Sequence, residues 1–440
     1  MTSTRTWLAA AAGGAALAAT LVPAATAQAA ETGGNRTLVV VVDFSDSAHA
    51  EPERLKSAAA ERYFGPENSL ASYYTLVSRG AFTYVPAVPE KVVGPYTLDM
   101  SAACEAGQIN EQTRDLLESK GLTKGEDYDS LSIILPSEKS GCGWAGLGSV
   151  PGPNTWVNQG DATMDNSSLL VHEFGHNLGF GHHARLRCPD GDLGTCREDG
   201  TSHKTPMGSG GSGAGLVAPE LLHVGWLKDA ERAEVTKSAT YELVPLYRPG
   251  KGLRTLEIPL GKSGDRLVLE NRSAHGPLDD GVSGVHAYRV TDGEYGKSAL
   301  VDVTETDATV DGDTPADADA ITRLTDRANG LDLTVKGGAD GTAVVHVSLG
   351  GVPAPTEARS QGTGAVPSTP KRPRATTGAP ASEDGTELER TPERSPAAGA
   401  ENLAESGADS DTAMPLAVAG ALALISGVAL VTRHRRRRAG

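Results

Sequence analysis

HEFGHNLGFGH, from His172 to His182, is the stretch from which the rest of the chain is read. On a helix, residues four apart lie on one face, so His172 and His176 project together and can close on one metal ion. Zinc takes imidazole nitrogens at roughly 2.0–2.1 Å. Glu173 stands beside that position without needing to bind, which suits a general base acting on a metal-activated water. His182 cannot follow on the same straight helix. Gly179 can adopt a positive φ cheaply, turn the chain, and bring His182 up as a third ligand. Three protein ligands leave a fourth position open, which separates a catalytic zinc site from a structural one. With 11 His and 53 Gly in 440 residues, and Glu at average usage, the five fixed residues would match by chance at roughly one starting point in 10⁷.

Composition limits the other options. Lys and Arg total 40 against 56 Asp and Glu, a formal charge of −16. That balance argues against nucleic acid as a partner and for an exposed, soluble surface. Four cysteines fit two disulfides in an exported protein. Residues 1–29 read as a signal peptide, with Arg5, an apolar core from Trp7 to Val22 and Ala27-Gln28-Ala29 before a cut at Ala30.

Thr37 to Phe44, TLVVVVDF, is a continuous β-branched run and reads as a buried strand. A helix through Tyr73 and Tyr74 breaks at Gly80 before a strand from Phe82 to Val85. Ile109 to Lys120 has helical apolar spacing ended by Gly121, and Leu131 to Pro136 reads as another strand. Ser167 or Ser168 caps the helix that carries the histidines, whose core face is Leu169, Leu170, Val171, Phe174 and Leu178. His183, His203 and His223 read as packing, solvent or supporting residues. Asp311, Asp313, Asp317 and Asp319 lack calcium-loop spacing and read as a solvated loop.

HEFGHNLGFGH has the H-E-x-x-H-x-x-G-x-x-H pattern of the metzincin metalloproteases and resembles that family. Thr205-Pro206-Met207-Gly208, 25 residues past His182, is similar to the family's methionine turn, in which Met207 would form an apolar floor under the imidazoles. Ser209 follows, with no tyrosine nearby, so branches that use a tyrosine there match less well. The turn, then the helix at Ala218 to Val224, then Gly225-Trp226-Leu227, look like the gametolysin-type branch, and the resemblance runs from about Thr37 to Leu227. It implies an α+β catalytic domain, a mixed sheet plus the active-site helix, over residues 30–229. The sites implied are His172, His176 and His182 on Zn²⁺, Glu173 as the catalytic base, and Gly179 and Met207 as structural support. A protein or peptide substrate would pair as an extended strand along the glycine-rich segment 141–159, with Trp156 to Asn158 as candidate substrate-facing backbone. Few residues separate Ala30 from the first strand, so no inhibitory propeptide is expected. Of three possible pairings, proximity favours Cys104 with Cys142 and Cys188 with Cys196.

Residues 230–350 change to short alternating runs, Ala239–Pro245, Leu253–Pro259, Arg266–Glu270, Gly284–Val290, Leu331–Val335 and Thr342–Val347, the pattern of an all-β sandwich-like domain. Residues 351–411 are rich in Pro, Thr, Ser, Ala and Gly and read as a disordered spacer. Residues 412–432 carry no charge and are long enough to span a bilayer, and residues 433–440 form a basic cytoplasmic tail. Leu403-Ala404-Glu405-Ser406-Gly407 just before them resembles the pentapeptide of a sortase sorting signal, with Ser406 in the threonine position and the cut expected between Ser406 and Gly407. Sortase and peptidoglycan are then expected partners, the span at 412–432 serves before or instead of sorting, and the location is the cell wall or surface of a high-GC Gram-positive bacterium. Two other readings compete with a zinc endopeptidase: a non-catalytic adhesin on the same scaffold, and a zinc amidase acting on wall peptides. Glu173 speaks against the first, since a binding relic has no use for a base beside three intact ligands.

Overall fold

In the computed structural model the described residues are 33–136, 141–158, 164, 167–304 and 319–361, with the backbone of 403–407. The expected leader, most of the spacer, the span at 412–432, the basic tail, and Asp311, Asp313 and Asp317 lie outside them. Among the described residues no helix is long and apolar enough to cross a membrane.

The valine run forms β1 (Gly33–Asp43), and Leu38 to Val42 are all fully buried. A strand reads as continuously apolar when both sheet faces are covered. Successive side chains of β1 indeed enter different cores. Val39 and Val41 pack with α1 (Pro52–Phe64) and α2 (Leu70–Val77). Leu38, Val40 and Val42 pack on the opposite face, where α3 will lie. Leu55, Ala59 and Tyr63 make the buried stripe of α1, a four-residue repeat that places them on one face. Ser69 and Ser72 exchange capping hydrogen bonds at the start of α2.

The chain then lays down β2 (Phe82–Pro86) and β3 (Val92–Thr97), both parallel to β1. α3 (Ala106–Ser119) supplies Ile109 and Leu117 to the second face. β4 (Ser130–Ile134) pairs parallel with β1 on its other side. β5 (Trp144–Ser149) and β6 (Asn154–Val157) form an antiparallel pair, and β6 joins β4 in parallel. The helix of the histidine motif, α4 (Ser167–Asn177), begins at Ser167 and packs Leu170 and Phe174 into the core shared with α1 and α2. Six strands therefore lie between two helical layers, a mixed α/β arrangement.

Beyond α4 come β7 (Ala184–Arg187), β8 (Arg197–Thr201) and α5 (Ala218–His223). The following segment holds β9 (Arg232–Glu234), β10 (Ala239–Leu243), β11 (Thr255–Pro259), β12 (Arg266–Arg272), β13 (Gly284–Val290), β14 (Ala299–Asp302), β15 (Arg323–Asp326), β16 (Leu331–Gly337), β17 (Ala343–Leu349) and β18 (Ala358–Arg359); the six expected runs are β10 to β13, β16 and β17, while β9, β14 and β15 carried no such pattern and β18 falls in the stretch expected to be a spacer. They build two sheets, ordered β15-β16-β17-β10-β18 and β8-β7-β14-β13-β12-β11-β9. Leu243, Leu333 and Val345 from one meet Leu256, Leu269 and Ala287 from the other in a common core. The larger sheet recruits β7 and β8, through β7 parallel to β14, so it draws strands from both sides of residue 230. One further strand, β19 (Leu403–Gly407), pairs with β5.

Both disulfides form as proximity favoured, Cys104–Cys142 and Cys188–Cys196. Two expectations are corrected. Trp156 sits in β6, hydrogen-bonded to β4 on one side and β5 on the other and fully buried, so it presents no open backbone edge. Among strands β1 to β6, β5 is the outermost on that side, and β19 pairs with its outer edge. Asp319 is not solvated: it is buried against His203 at 2.7 Å and Lys204 at 3.7 Å.

Candidate active site

α4 brings His172 and His176 to one face, and Gly179, at φ +95°, turns the chain as its position suggested. Gly181 donates its N–H to the Gly296 carbonyl, which seats the stretch leading into His182. The next residue is anchored too, since His183 donates from its backbone to the Met207 carbonyl. The result is that Nε2 of His172 lies 3.1 Å from Nε2 of His176 and 3.2 Å from Nε2 of His182. Ligand atoms of the three rings fall within 4.8 Å of one another, the group among the described residues that could hold a metal.

The other ring nitrogens explain this convergence. His172 donates from Nδ1 to the Pro206 carbonyl at 2.7 Å, and His176 donates from Nδ1 to the Phe180 carbonyl at 2.7 Å. Each carbonyl sets the tautomer and leaves a lone pair on Nε2, the form a cation requires. Burial pushes His172 down to about 4 and His176 to about 3, and it lowers His182 as well. The rings are therefore neutral donors at ordinary pH.

Met207 is fully buried, in the core that also holds Phe174 and Phe180. Gly175 faces its sulfur so closely that a Cβ there would overlap Sδ. Glu173 is fully buried where α4 meets β5. A Cβ on Gly146 would fall 2.8 Å from Glu173 Oε1, and one on Gly148 would fall 2.9 Å from His176 Cβ. Two glycines on the same strand face thus let β5 lie directly against the residues that carry the chemistry. Asn177 ties the arrangement down, donating from Nδ2 to the carbonyls of Ser149 and Asn154 and accepting from Thr155 Oγ1 at 2.8 Å.

Several supporting residues have no signal in the sequence. His183 is buried, with Nε2 3.1 Å from the Gly296 carbonyl and 3.3 Å from Glu220 Oε1. Glu220 accepts from Thr205 Oγ1 and from the Val217 N–H, both at 2.7 Å. Burial pushes its carboxyl up to about 8 against those hydrogen bonds. Arg272, paired with Glu270 and Asp279, donates to the Lys204 carbonyl and so braces the same turn. Only contacts between distant segments reveal these roles. His223 packs against Gly179 and the Phe180 ring.

Three inward-facing imidazoles, a buried carboxylate next to the first, and an antiparallel sheet edge alongside define the class of metal-dependent proteases. The chain belongs to the gametolysin peptidase M11 family, whose model matches residues 36–257. No curated protein matches the chain. Among solved structures, wild-type OgpA from Akkermansia muciniphila is similar at 13% identity, covering 72% of this chain and 93% of its own, with a TM-score of 0.30. Catalytically inactive OgpA, solved with an O-glycopeptide (glycodrosocin) substrate, is similar at 13% identity, covering 72% and 94%, with a TM-score of 0.30. Archaemetzincin from Methanopyrus kandleri is similar at 18% identity, covering 43% and 85%, with a TM-score of 0.19.

Proposed function

We propose that this metalloprotease is a zinc endopeptidase of metzincin type, and the observation that carries the reading is the convergence of three Nε2 atoms beside buried Glu173. The donor set fits the ion: three neutral imidazoles, two of them oriented by backbone carbonyls, suit zinc over magnesium or calcium, which prefer oxygen. His172, His176 and His182 would hold Zn²⁺, which when bound polarises a peptide carbonyl and lowers the pKa of water towards about 7. Glu173 takes a proton from the attacking water at its carboxylate and hands it to the departing amine. Its burial keeps bulk water from competing for that proton. The β5 edge orients an extended peptide by main-chain pairing, and Met207 and Gly179 keep the imidazoles in place.

The wider assignment is part of the same proposal. Residues 1–29 direct export, residues 30–229 and 230–350 divide into catalytic and β-sandwich-like units, with β7 and β8 crossing between them, and the tail tethers the protease at a Gram-positive surface. Sortase would cut between Ser406 and Gly407 and join Ser406 to peptidoglycan, or residues 412–432 would keep the chain in the membrane. Mass spectrometry of wall-released protein decides this: a C-terminus at Ser406 supports sorting, and an intact arginine tail excludes it.

The test of the chemistry is the full chain against a diverse peptide library, beside Glu173→Gln and a chelated sample. The Gln variant is expected to bind one zinc per chain and to lose about 10²- to 10⁴-fold in kcat/KM. Equal cleavage by wild type and variant would overturn the mechanism.

A further inference from the structure

β6 covers one edge of β5, so an added peptide can pair only with the other. One segment of this chain already does. Leu403–Gly407 lies antiparallel to β5, with Leu403 opposite Ser149, Ala404 opposite Gly148, Glu405 opposite Leu147 and Ser406 opposite Gly146, before a shift that sets Gly407 opposite Trp144. The register matters because Gly146 and Gly148 are the two residues whose bare faces lie against Glu173 and His176. The backbone of β19 also borders α4 itself. From this pairing we infer that residues 403–407 act in cis as a competitor for the peptide-binding edge, capping the protease with its own tail. The inference rests on the protease reading of that site and adds its regulation.

Energetics favour a partial cap. Each ladder hydrogen bond contributes roughly 1 kcal/mol net, so five residues alone pair weakly. Covalent linkage changes the balance, because tethering can raise a segment's effective concentration at its site towards the millimolar range. A pentapeptide with a Kd of about 1 mM would then occupy β5 much of the time in cis while being negligible in trans. A substrate with more residues in the ladder displaces it. Since the competitor and the substrate use the same edge, the cap raises KM and leaves kcat alone.

The test compares the full chain with Ala404→Pro/Glu405→Pro and with Ala404→Val/Glu405→Gln. Neighbouring residues of a strand point their N–H groups to opposite sides, so one of two adjacent prolines must remove a donor facing β5. The Val/Gln pair keeps both donors. Two readouts are taken: binding of a fluorescent peptide spanning residues 400–410, and steady-state cleavage of an unrelated peptide from the library. The proline variant is expected to bind the peptide at least about fivefold more tightly than wild type, with KM lowered by a similar factor, kcat unchanged and the Val/Gln variant like wild type. Amide exchange should quicken at Trp144–Ser149 in the proline variant, with protection elsewhere preserved, which shows that the variant is folded. Equal peptide binding and equal exchange at β5 in all three proteins would overturn the cap. A binding difference with no cleavage by any of them would uphold the cap and overturn the protease reading.

Discussion

Gly175 of α4 presents its bare face to Sδ of Met207, with Phe180 completing the contact. Replacing a helical glycine with alanine ordinarily stabilises by about 1 kcal/mol. Here the added methyl overlaps a fully buried sulfur, and overpacking costs about 3 kcal/mol at the upper end of its usual range. Gly175→Ala is therefore expected to lower the Tm, and Gly175→Ala/Met207→Ala to be less destabilised than the sum of the single changes. Denaturant melts of the four proteins in this cycle measure the coupling. Strict additivity would mean that the two residues do not press on each other.

Asn177 is one residue past the second histidine and holds β5 and β6 in place through side-chain hydrogen bonds, the three shortest at 2.8, 2.9 and 3.1 Å. At about 1 kcal/mol each, Asn177→Ala should cost roughly 3 kcal/mol. Because the Ser149 carbonyl belongs to β5, the peptide edge should loosen as well. The expected kinetic signature is a raised KM with zinc stoichiometry unchanged, measured by peptide cleavage and metal analysis.

Glu231 joins the two parts of the molecule, bonding Arg79 at 2.6 and 2.8 Å and Arg254 at 2.9 Å. Burial raises its pKa, but the hydrogen bonds from Arg79, the Lys228 N–H and Arg254 outweigh this and bring it down to about 2. A carboxyl depressed in the folded state stabilises fully above its unfolded pKa of about 4.3. That stability is lost as pH falls through the folded value. Between pH 4.5 and 2 the wild type should lose stability more steeply than Glu231→Gln, which lacks the titrating group. Thermal melts across that window check the slope, and parallel curves would contradict the assignment.

The disulfides close loops of different length, with separations of 38 residues for Cys104–Cys142 and 8 for Cys188–Cys196. On the chain-entropy account the longer should contribute about 4 kcal/mol and the shorter about 2.5 kcal/mol. Serine pairs at each bridge, compared in urea, should show the larger loss for Cys104→Ser/Cys142→Ser. The reverse order would indicate that the loop after His182 depends on its bridge for more than chain entropy.

Much of this arrangement is legible in local pattern. β1 announces itself because a strand covered on both faces must be apolar throughout. The six alternating runs past residue 230 all appear as strands within a few residues of their expected ends. α1 went unread, although Leu55, Ala59 and Tyr63 carry the repeat of a half-buried helix. Trp156 misled because the resemblance implied an edge strand within residues 141–159 without saying which of them form it. The structure instead uses it as an inner strand residue and gives the edge to the glycines of β5. Asp319 misled for the opposite reason, since an aspartate in an acidic run says nothing of the His203 and Lys204 that bury it.

The sequence by itself determined that His172 and His176 share a face, because their spacing is converted to a shared direction by helix geometry alone. It also determined that the chain must turn at Gly179, since a positive φ is a property of one residue. Tertiary structure decided everything that depends on which distant segments meet. It selected the carbonyls of Pro206 and Phe180 as orienting groups, placed Glu220 under the Met207 turn, and lent β7 and β8 to the second sheet. It also decided that β5, not β6, ends the row of strands β1 to β6 on that side, and that Leu403–Gly407 pairs with it. Strand order is set by long-range pairing, in which many registers satisfy the same local preferences. Only the folded chain chooses among them.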